Sequence, residues 1–262
     1  MASRIYTDML GREVSIPYPP RRIISLVPSQ TELLFDLGLQ DEVVGITKFC
    51  VHPNDWFRNK TRVGGTKLVN IDKVCSLQPD LIIANKEENE KDQVDALAAE
   101  FPVWISDIKT LEDALEMMRG VGLITNREEQ ANSIITDISN GFSSLQKAAN
   151  PRRAAYFIWY KPWMSVGSDT FISHMLNAIG WENAFADKQR YPEIEPEELA
   201  KRNPELVLLS SEPFPFKEKH IAEIKDILPH ARVALVDGEM FSWYGSRLLK
   251  AIPYFSQLVS AY

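Results

Sequence analysis

The chain has 262 residues, 45% hydrophobic and 25% charged, an ordinary balance for a globular protein with room for one large or two small domains. Its formal net charge of −7 excludes a nucleic-acid surface, which needs a basic stripe. No apolar run approaches the ~18 residues of a membrane-crossing helix.

From the N-terminus, residues 5–16 (IYTDMLGREVSI) predict a hairpin about Gly11, ended by Pro17, Pro19 and Pro20. Arg22–Val27 predicts a first buried strand. A helix over Leu33–Leu37 stops at Gly38, with Ser29 and Glu32 spaced as a capping box. Val43–Ile46 is a second strand, and a loop rich in aromatics and glycine runs from Lys48 to Thr66. Strands at Leu81–Ala84 and Val103–Ile105 flank a helix near Asp92–Ala99. This alternation predicts a parallel sheet.

Residues 126–148 break the alternation. Ala131, Ile134, Ile135, Ile138, Phe142 and Leu145 keep one apolar face at helical spacing, with Asn126 as N-cap and Glu128 and Glu129 in the first turn. About 22 helical residues would make a rod of roughly 33 Å, read as a structural spacer. Beyond Asn150-Pro151, strands are expected at Ala154–Trp159, Leu206–Leu209 and Val233–Val236, and helices at Phe171–Ile179 and Arg247–Val259.

One pattern occurs twice. Residues 71–87 read IDKVCSLQPDLIIANKE and residues 196–212 read PEELAKRNPELVLLSSE, so Pro79-Asp80 matches Pro204-Glu205 and Glu87 matches Glu212. Each copy is a helix, a tight turn and a buried strand. The period is too long for a solenoid, whose units reach about 50 residues. Two related α/β lobes follow, with Rossmann-like parallel sheets joined by a single long backbone helix: an N-terminal lobe over 1–124, a connecting segment over 125–150 and a C-terminal lobe over 151–262. Two lobes imply an inter-lobe cleft for a small ligand.

Catalytic signatures are absent: no GxSxG, Walker loop, GxGxxG or HExxH occurs. Cys50 and Cys75, without a CxxC, read as two buried thiols, with a disulfide or a metal pair as alternatives. The four histidines lack metal-ligand spacing, and His52 stands out only because it follows the second strand. In open α/β sheets ligands bind beyond the carboxyl ends of the strands. The loops there carry Pro28, Phe49, His52, Thr66 and Asn85 in the first half, and Trp159, Trp163, Phe214, Phe216, Trp243, Tyr244 and Arg247 in the second. Aromatics on such loops suit a flat or bulky ligand, although they could equally fill a seam.

Taken in order, these segments resemble the substrate-binding proteins of ABC transporters that import cobalamin and ferric complexes, the class whose lobes are joined by one backbone helix. The matching motifs are Arg22-Ile-Ile-Ser-Leu-Val-Pro-Ser-Gln-Thr-Glu-Leu-Leu, Val44-Gly-Ile-Thr, Val63-Gly-Gly-Thr, Asn70-Ile-Asp-Lys, Leu77-Gln-Pro-Asp-Leu-Ile-Ile-Ala and Pro204-Glu-Leu-Val-Leu-Leu. The resemblance implies a binding module without catalysis or cofactor. Its ligand, a corrinoid, haem or ferric siderophore, would meet Pro28, Phe49, Thr66, Asn85, Trp159 and the segment from Glu239 to Arg247. The cobalamin binder of this class has tryptophans where this chain has Thr66 and Asn85. The partner implied is a dimeric membrane permease, docked by one exposed carboxylate per lobe, here Glu87 or Glu88 and Glu212, with the binding protein a monomer. The family works in the periplasm or anchored outside the cytoplasmic membrane. No signal peptide precedes Thr7-Asp8 in this chain, which leaves a cytosolic, chelatase-like enzyme acting on a tetrapyrrole or metal complex as the alternative.

Overall fold

The computed structural model describes residues 2–148 and 150–262; Met1, in the predicted N-terminal lobe, and Ala149, in the predicted connecting segment, lie outside the described residues. The chain divides into two compact units, one of residues 1–108, 112–138 and 244–247, the other of residues 109–111, 139–243 and 248–262.

Unit 1 opens with the antiparallel hairpin β1 (Ser3–Thr7) and β2 (Glu13–Pro17), turning through Gly11 at φ +77°. There follow β3 (Ile23–Ser25), α1 (Pro28–Asp36), β4 (Val43–Ile46), α2 (Asn54–Asn59), β5 (Thr61–Arg62) and α3 (Ile71–Ser76). After these come β6 (Leu81–Asn85), α4 (Lys91–Ala98), β7 (Val103–Ser106), α5 (Leu111–Thr125) and α6 (Glu128–Ser144). The sheet is all parallel in the order β5-β4-β3-β6-β7. Every residue of β6 and β7 is buried, which is why these strands read as unbroken apolar runs and not as alternations. One core layer joins Ile24, Leu26, Val63, Ile82, Ala84 and Ile105 to Val94 and Leu97 of α4.

Unit 2 contains β8 (Arg152–Trp159), β9 (Met164–Ser165), α7 (Phe171–Ala178), β10 (Trp181–Asn183), α8 (Pro196–Arg202) and β11 (Leu206–Ser210). It ends with α9 (Glu218–Ile227), β12 (Arg232–Val236), α10 (Gly238–Ser242) and α11 (Leu248–Ala261). Its parallel strands run β10-β8-β11-β12, with β9 antiparallel on β8. The repeated segments are α3-β6 and α8-β11, and each places its strand between equivalent neighbours, β6 between β3 and β7 and β11 between β8 and β12. The internal repeat is therefore a repeat of topology.

Its chemistry is also repeated. Gln78 and Asn203, the residues before Pro79 and Pro204, both take left-handed backbone, at φ 46° and 50°. The following acid then locks the neighbouring strand. Asp80 N donates to Arg22 O at 3.0 Å, and its carboxylate accepts Arg21 N at 2.7 Å and Arg22 N at 2.8 Å. Glu205 N donates to Arg153 O at 3.0 Å, and its carboxylate accepts Arg153 N at 3.4 Å.

Three expectations change. Pro28, not Leu33, starts α1; its N-cap is Val27, and Ser29 makes no cap because it already lies inside the helix. Asn126 is not the N-cap of the long helix. It sits at φ 57°, ends α5, and its side chain accepts the Tyr18 hydroxyl at 2.8 Å. The helix predicted over 126–148 accordingly spans Glu128–Ser144, about 25 Å. It stops there because the next residues run back along the end of α7, where Ala148 N donates to Ile179 O at 3.0 Å. Finally, α5 was not anticipated, although Ala114, Met117, Met118 and Val121 carry its apolar stripe. Gly122 allows α5 and α6 to approach closely, since a Cβ there would lie 2.5 Å from that of Ala131.

The repeated lock orders two substitutions. Asp80→Ala, losing two short bonds to backbone N–H groups, is expected to destabilise by about 1–2 kcal/mol, and Glu205→Ala by less than about 1 kcal/mol. Urea denaturation of both variants checks the order; equal losses would show that the lock is not what the repeat preserves.

Candidate ligand-binding site

In unit 1 the carboxyl ends of β3, β4 and β6 carry the predicted residues. The loop after β4 is pinned from below: Cys50 N donates to Thr47 O at 3.2 Å, and the Cys50 thiol lies 3.0 Å from Thr31 Oγ1 and 3.1 Å from Thr47 Oγ1. Burial pushes that thiol pKa up, so it stays protonated. Cys75 is also a free thiol. With Cys50 held inward, Phe49 turns outward and is 51% exposed. Beside it Lys48 N donates to Gly64 O and Gly65 N to Leu68 O, both at 2.7 Å, closing a tight loop. Gly64 is required there, because at φ +111° a Cβ would lie 2.5 Å from Leu68 O.

Thr66 and Asn85 face the other way. Thr66 is buried, and its carbonyl accepts Asn89 Nδ2 at 3.0 Å. Asn85 uses both ends of its amide: Nδ2 donates to Ser106 Oγ at 3.0 Å, and Oδ1 accepts Glu87 N at 2.8 Å and Glu88 N at 3.0 Å. Gln30 Nε2 completes the knot at 2.5 Å from Ser106 Oγ. Asn89 and Ser106 belong to no motif, and Gln30, although it stands in the Arg22–Leu34 motif, carries no signal of its distant partner Ser106. Pro28 and His52 are half-buried at the same end of the sheet, as are Glu87 and Glu88.

In unit 2 Trp159, the last residue of β8, is 40% exposed and meets Phe214 edge-on at 5.8 Å. Phe49 and Trp159 are the only exposed aromatic side chains among the described residues; Phe49 lies in the loop after β4, and Trp159 is the last residue of β8. Trp163 is different. It stacks on Phe216 at 5.7 Å and abuts Phe157 at 5.2 Å, joining the unit's core because β9 folds its loop back onto β8. Around it Tyr160 donates to Glu223 at 2.8 Å, and the buried His220 lies 4.7 Å from the Tyr160 ring while its Nδ1 accepts Lys217 N at 2.9 Å.

Glu212, expected to point to solvent, does not. Its carboxylate accepts Ser242 Oγ at 2.7 Å and Trp243 Nε1 at 2.9 Å. The reason is Gly238: a Cβ there would sit 2.3 Å from Ser210 Oγ and 2.6 Å from Glu212 Cγ, so only a bare backbone lets α10 close over this carboxylate. Burial raises the Glu212 pKa, with the charges of Glu239 and Asp237 adding to the rise. Trp243 is buried by the same contact, and Glu239 is half-buried in the first turn of α10.

Tyr244 and Arg247 belong to unit 1. Arg247 grips Glu32 of α1 with Nε at 2.7 Å and Nη2 at 2.8 Å, both side chains being 6% exposed. Gly245 permits the approach, since a Cβ would lie 2.6 Å from Ser29 O. Arg247 therefore serves Glu32, a partner that the sequence separation concealed. No group of three or more His, Cys, Asp or Glu side chains among the described residues is placed to hold a metal ion, and no helix among them is long and apolar enough to cross a membrane.

Two α/β units share a strand order, and each exposes one aromatic side chain in a loop beyond a strand's carboxyl end. The chain belongs to the periplasmic binding protein family, which it matches over residues 23–235. It is 28% identical to the uncharacterised ABC transporter substrate-binding lipoprotein YvrC of Bacillus subtilis, across 94% of this chain and 82% of that one. It is 26% identical to the vitamin B12-binding protein of Pectobacterium carotovorum, across 88% of this chain and 86% of that one. Its fold matches the periplasmic heme-binding protein RhuT of Roseiflexus with a TM-score of 0.80 at 19% identity, covering 92% of this chain and 98% of that one.

Two outcomes follow from the buried carboxylates. Arg247→Ala strands Glu32 and is expected to cost about 3–5 kcal/mol in urea denaturation; a loss near zero would return Arg247 to the ligand contacts. For Glu212 the folded pKa lies above the unfolded one, so the penalty is full above the folded pKa and is relieved as pH falls through it. Glu212→Gln should thus melt higher than the parent protein near neutral pH, with the gap closing on acidification. A gap that widens in acid would contradict the buried, charge-penalised carboxylate.

Proposed function

We propose that this chain is the substrate-binding component of an ABC importer, capturing a metal complex and delivering it to a membrane permease dimer. The family match supports the role, and the observation that carries the ligand class is the pair of exposed aromatics, Phe49 and Trp159, at strand ends where α/β sheets bind ligands. Large exposed rings are costly in water and effective against the broad faces of a corrinoid, haem or ferric siderophore. Pro28 and His52 stand at the same end of the unit 1 sheet as Phe49, and Glu239 opens α10 in unit 2, whereas Thr66, Asn85, Trp163 and Trp243 hold their loops from beneath.

The same reading proposes a location outside the cytoplasmic membrane, in keeping with the lipoprotein and periplasmic relatives. It assigns permease docking to Glu87 and Glu88, whose backbone Asn85 presents, and not to the inward-turned Glu212. Rim carboxylates act mainly on encounter rate and salt dependence. Glu87→Ala with Glu88→Ala should therefore weaken permease association and leave ligand affinity intact.

Native mass spectrometry against a panel of cobalamin, haemin and ferric siderophores tests the ligand class, with tryptophan fluorescence giving affinity. Trp159→Ala should weaken the retained ligand by roughly tenfold or more, the cost of removing a central aromatic anchor. Unchanged affinity in both Trp159→Ala and Phe49→Ala would put the site elsewhere.

A further inference from the structure

The two halves of the repeat finish their sheets differently. β7 and β12 are equivalent strands: each lies beside the repeated strand, β7 on β6 and β12 on β11, and each ends its sheet. The pairings Ile82 with Val103 and Ala84 with Ile105 have their counterparts in Val207 with Val233 and Leu209 with Leu235. Alternate residues of a parallel strand turn their N–H and C=O to opposite sides. Arg232 N donates to Glu205 O and Ser211 N to Val236 O, both at 2.9 Å, so Arg232, Ala234 and Val236 face β11. Val233 and Leu235 therefore turn their backbone groups to the open edge.

On β7 the carbonyls at these two positions are covered by the N-terminal hairpin. Val103 O accepts Arg12 Nη2 at 2.9 Å, and Ile105 O accepts Met9 N at 3.1 Å. Every residue of β7 is buried. On β12 no counterpart of Arg12 or Met9 reaches Val233 or Leu235 among the described residues, and Leu235 is 40% exposed. Nor does the strand carry a proline, a glycine or a register shift, the usual means of blunting an edge.

Charge at the two ends of this edge indicates what would cover it. At its start stand Arg232, over the Tyr262 ring, and Lys225 of α9, whose Nζ donates to Ala231 O at 2.7 Å. At its end stand Asp237 and Glu239. An antiparallel copy of the same strand lays each positive end against a negative one. It also sets Val233 opposite Leu235 on one face, an apolar cross-strand pair.

We propose that β12 is a self-association edge: two copies of this chain pair their β12 strands antiparallel about a two-fold axis at Ala234, joining their unit 2 sheets. Val233 and Leu235 of each copy exchange N–H and C=O bonds with Leu235 and Val233 of the other, an isologous contact that closes on itself as a dimer. The inference goes beyond the transport reading and does not rest on it.

Sedimentation velocity of the whole chain, from micromolar to millimolar concentration, should show a species of twice the chain mass that dissociates as salt rises. Leu235→Lys sets a charge on the pairing edge, and Leu235→Pro removes an outward N–H without touching the bonds to β11. Each should raise the dissociation constant about tenfold or more, with circular dichroism unchanged. In a Cys75→Ser background, Ala234→Cys should form a disulfide-linked dimer on oxidation, because a non-hydrogen-bonded antiparallel pair brings Cα atoms to about 4.5 Å. Val233→Cys, which faces Leu235, should not. A chain that stays monomeric leaves the edge to a strand of another protein and overturns the inference. So does a dimer that Leu235→Lys leaves intact, or one that Ala234→Cys cannot cross-link.

Discussion

A carboxylate that grips the backbone of the next strand is the constraint on which both sheets depend. In parallel sheets sequential strands are joined by long crossovers, so nothing local sets their register. Asp80 and Glu205 supply that missing reference just before β6 and β11, each exchanging bonds with the backbone of an arginine at the start of the adjoining strand, Arg22 before β3 and Arg153 within β8. Gln78 and Asn203 turn the chain into the lock through left-handed backbone that is otherwise disfavoured for such residues. With the central pair of strands in register, the carboxyl ends line up, and the loops there become a surface.

Those loops are then made rigid from below by polar side chains. Asn85, Asn89, Gln30 and Ser106 form one knot in unit 1, and Ser210, Glu212, Ser242 and Trp243 form another in unit 2. The two knots occupy corresponding places in the repeat: Asn85 Oδ1 and Ser210 Oγ each accept the N–H two residues on, from Glu87 and Glu212. From this common start the copies diverge, because Gly238 lets α10 close over the second. A site held by buried hydrogen bonds needs little reorganisation to receive a rigid ligand.

How far the sequence was legible depends on how local each signal is. Pro79-Asp80 and Pro204-Glu205 could be read directly, because a proline, an acid and an apolar run fix turn and strand within a few residues. The strands Leu81–Asn85 and Leu206–Ser210 followed from the same pattern. Asn85 ends β6, and Thr66 and Trp163 lie in loops beyond β5 and β8, but the direction of such side chains is decided by distant partners such as Ser106, Asn89 and Phe216. Asn126 shows the same limit: an asparagine before a helix is read as its cap, and only the presence of α5 makes it the end of a preceding one. Glu32 and Arg247 are 215 positions apart, and no spacing rule joins them.

That ion pair also bears on how the protein is made. Residues 244–247 are the last part of unit 1, although the rest of that unit is complete by residue 138. A ribosome adds about 5–20 residues each second, so the first unit waits several seconds with the Glu32 carboxylate lacking its arginine. Domains usually finish folding in the order of synthesis; here the first to begin is closed by nearly the last residues to emerge. Any chain cut short before Arg247, whether by a stop codon or a protease, leaves both units unfinished.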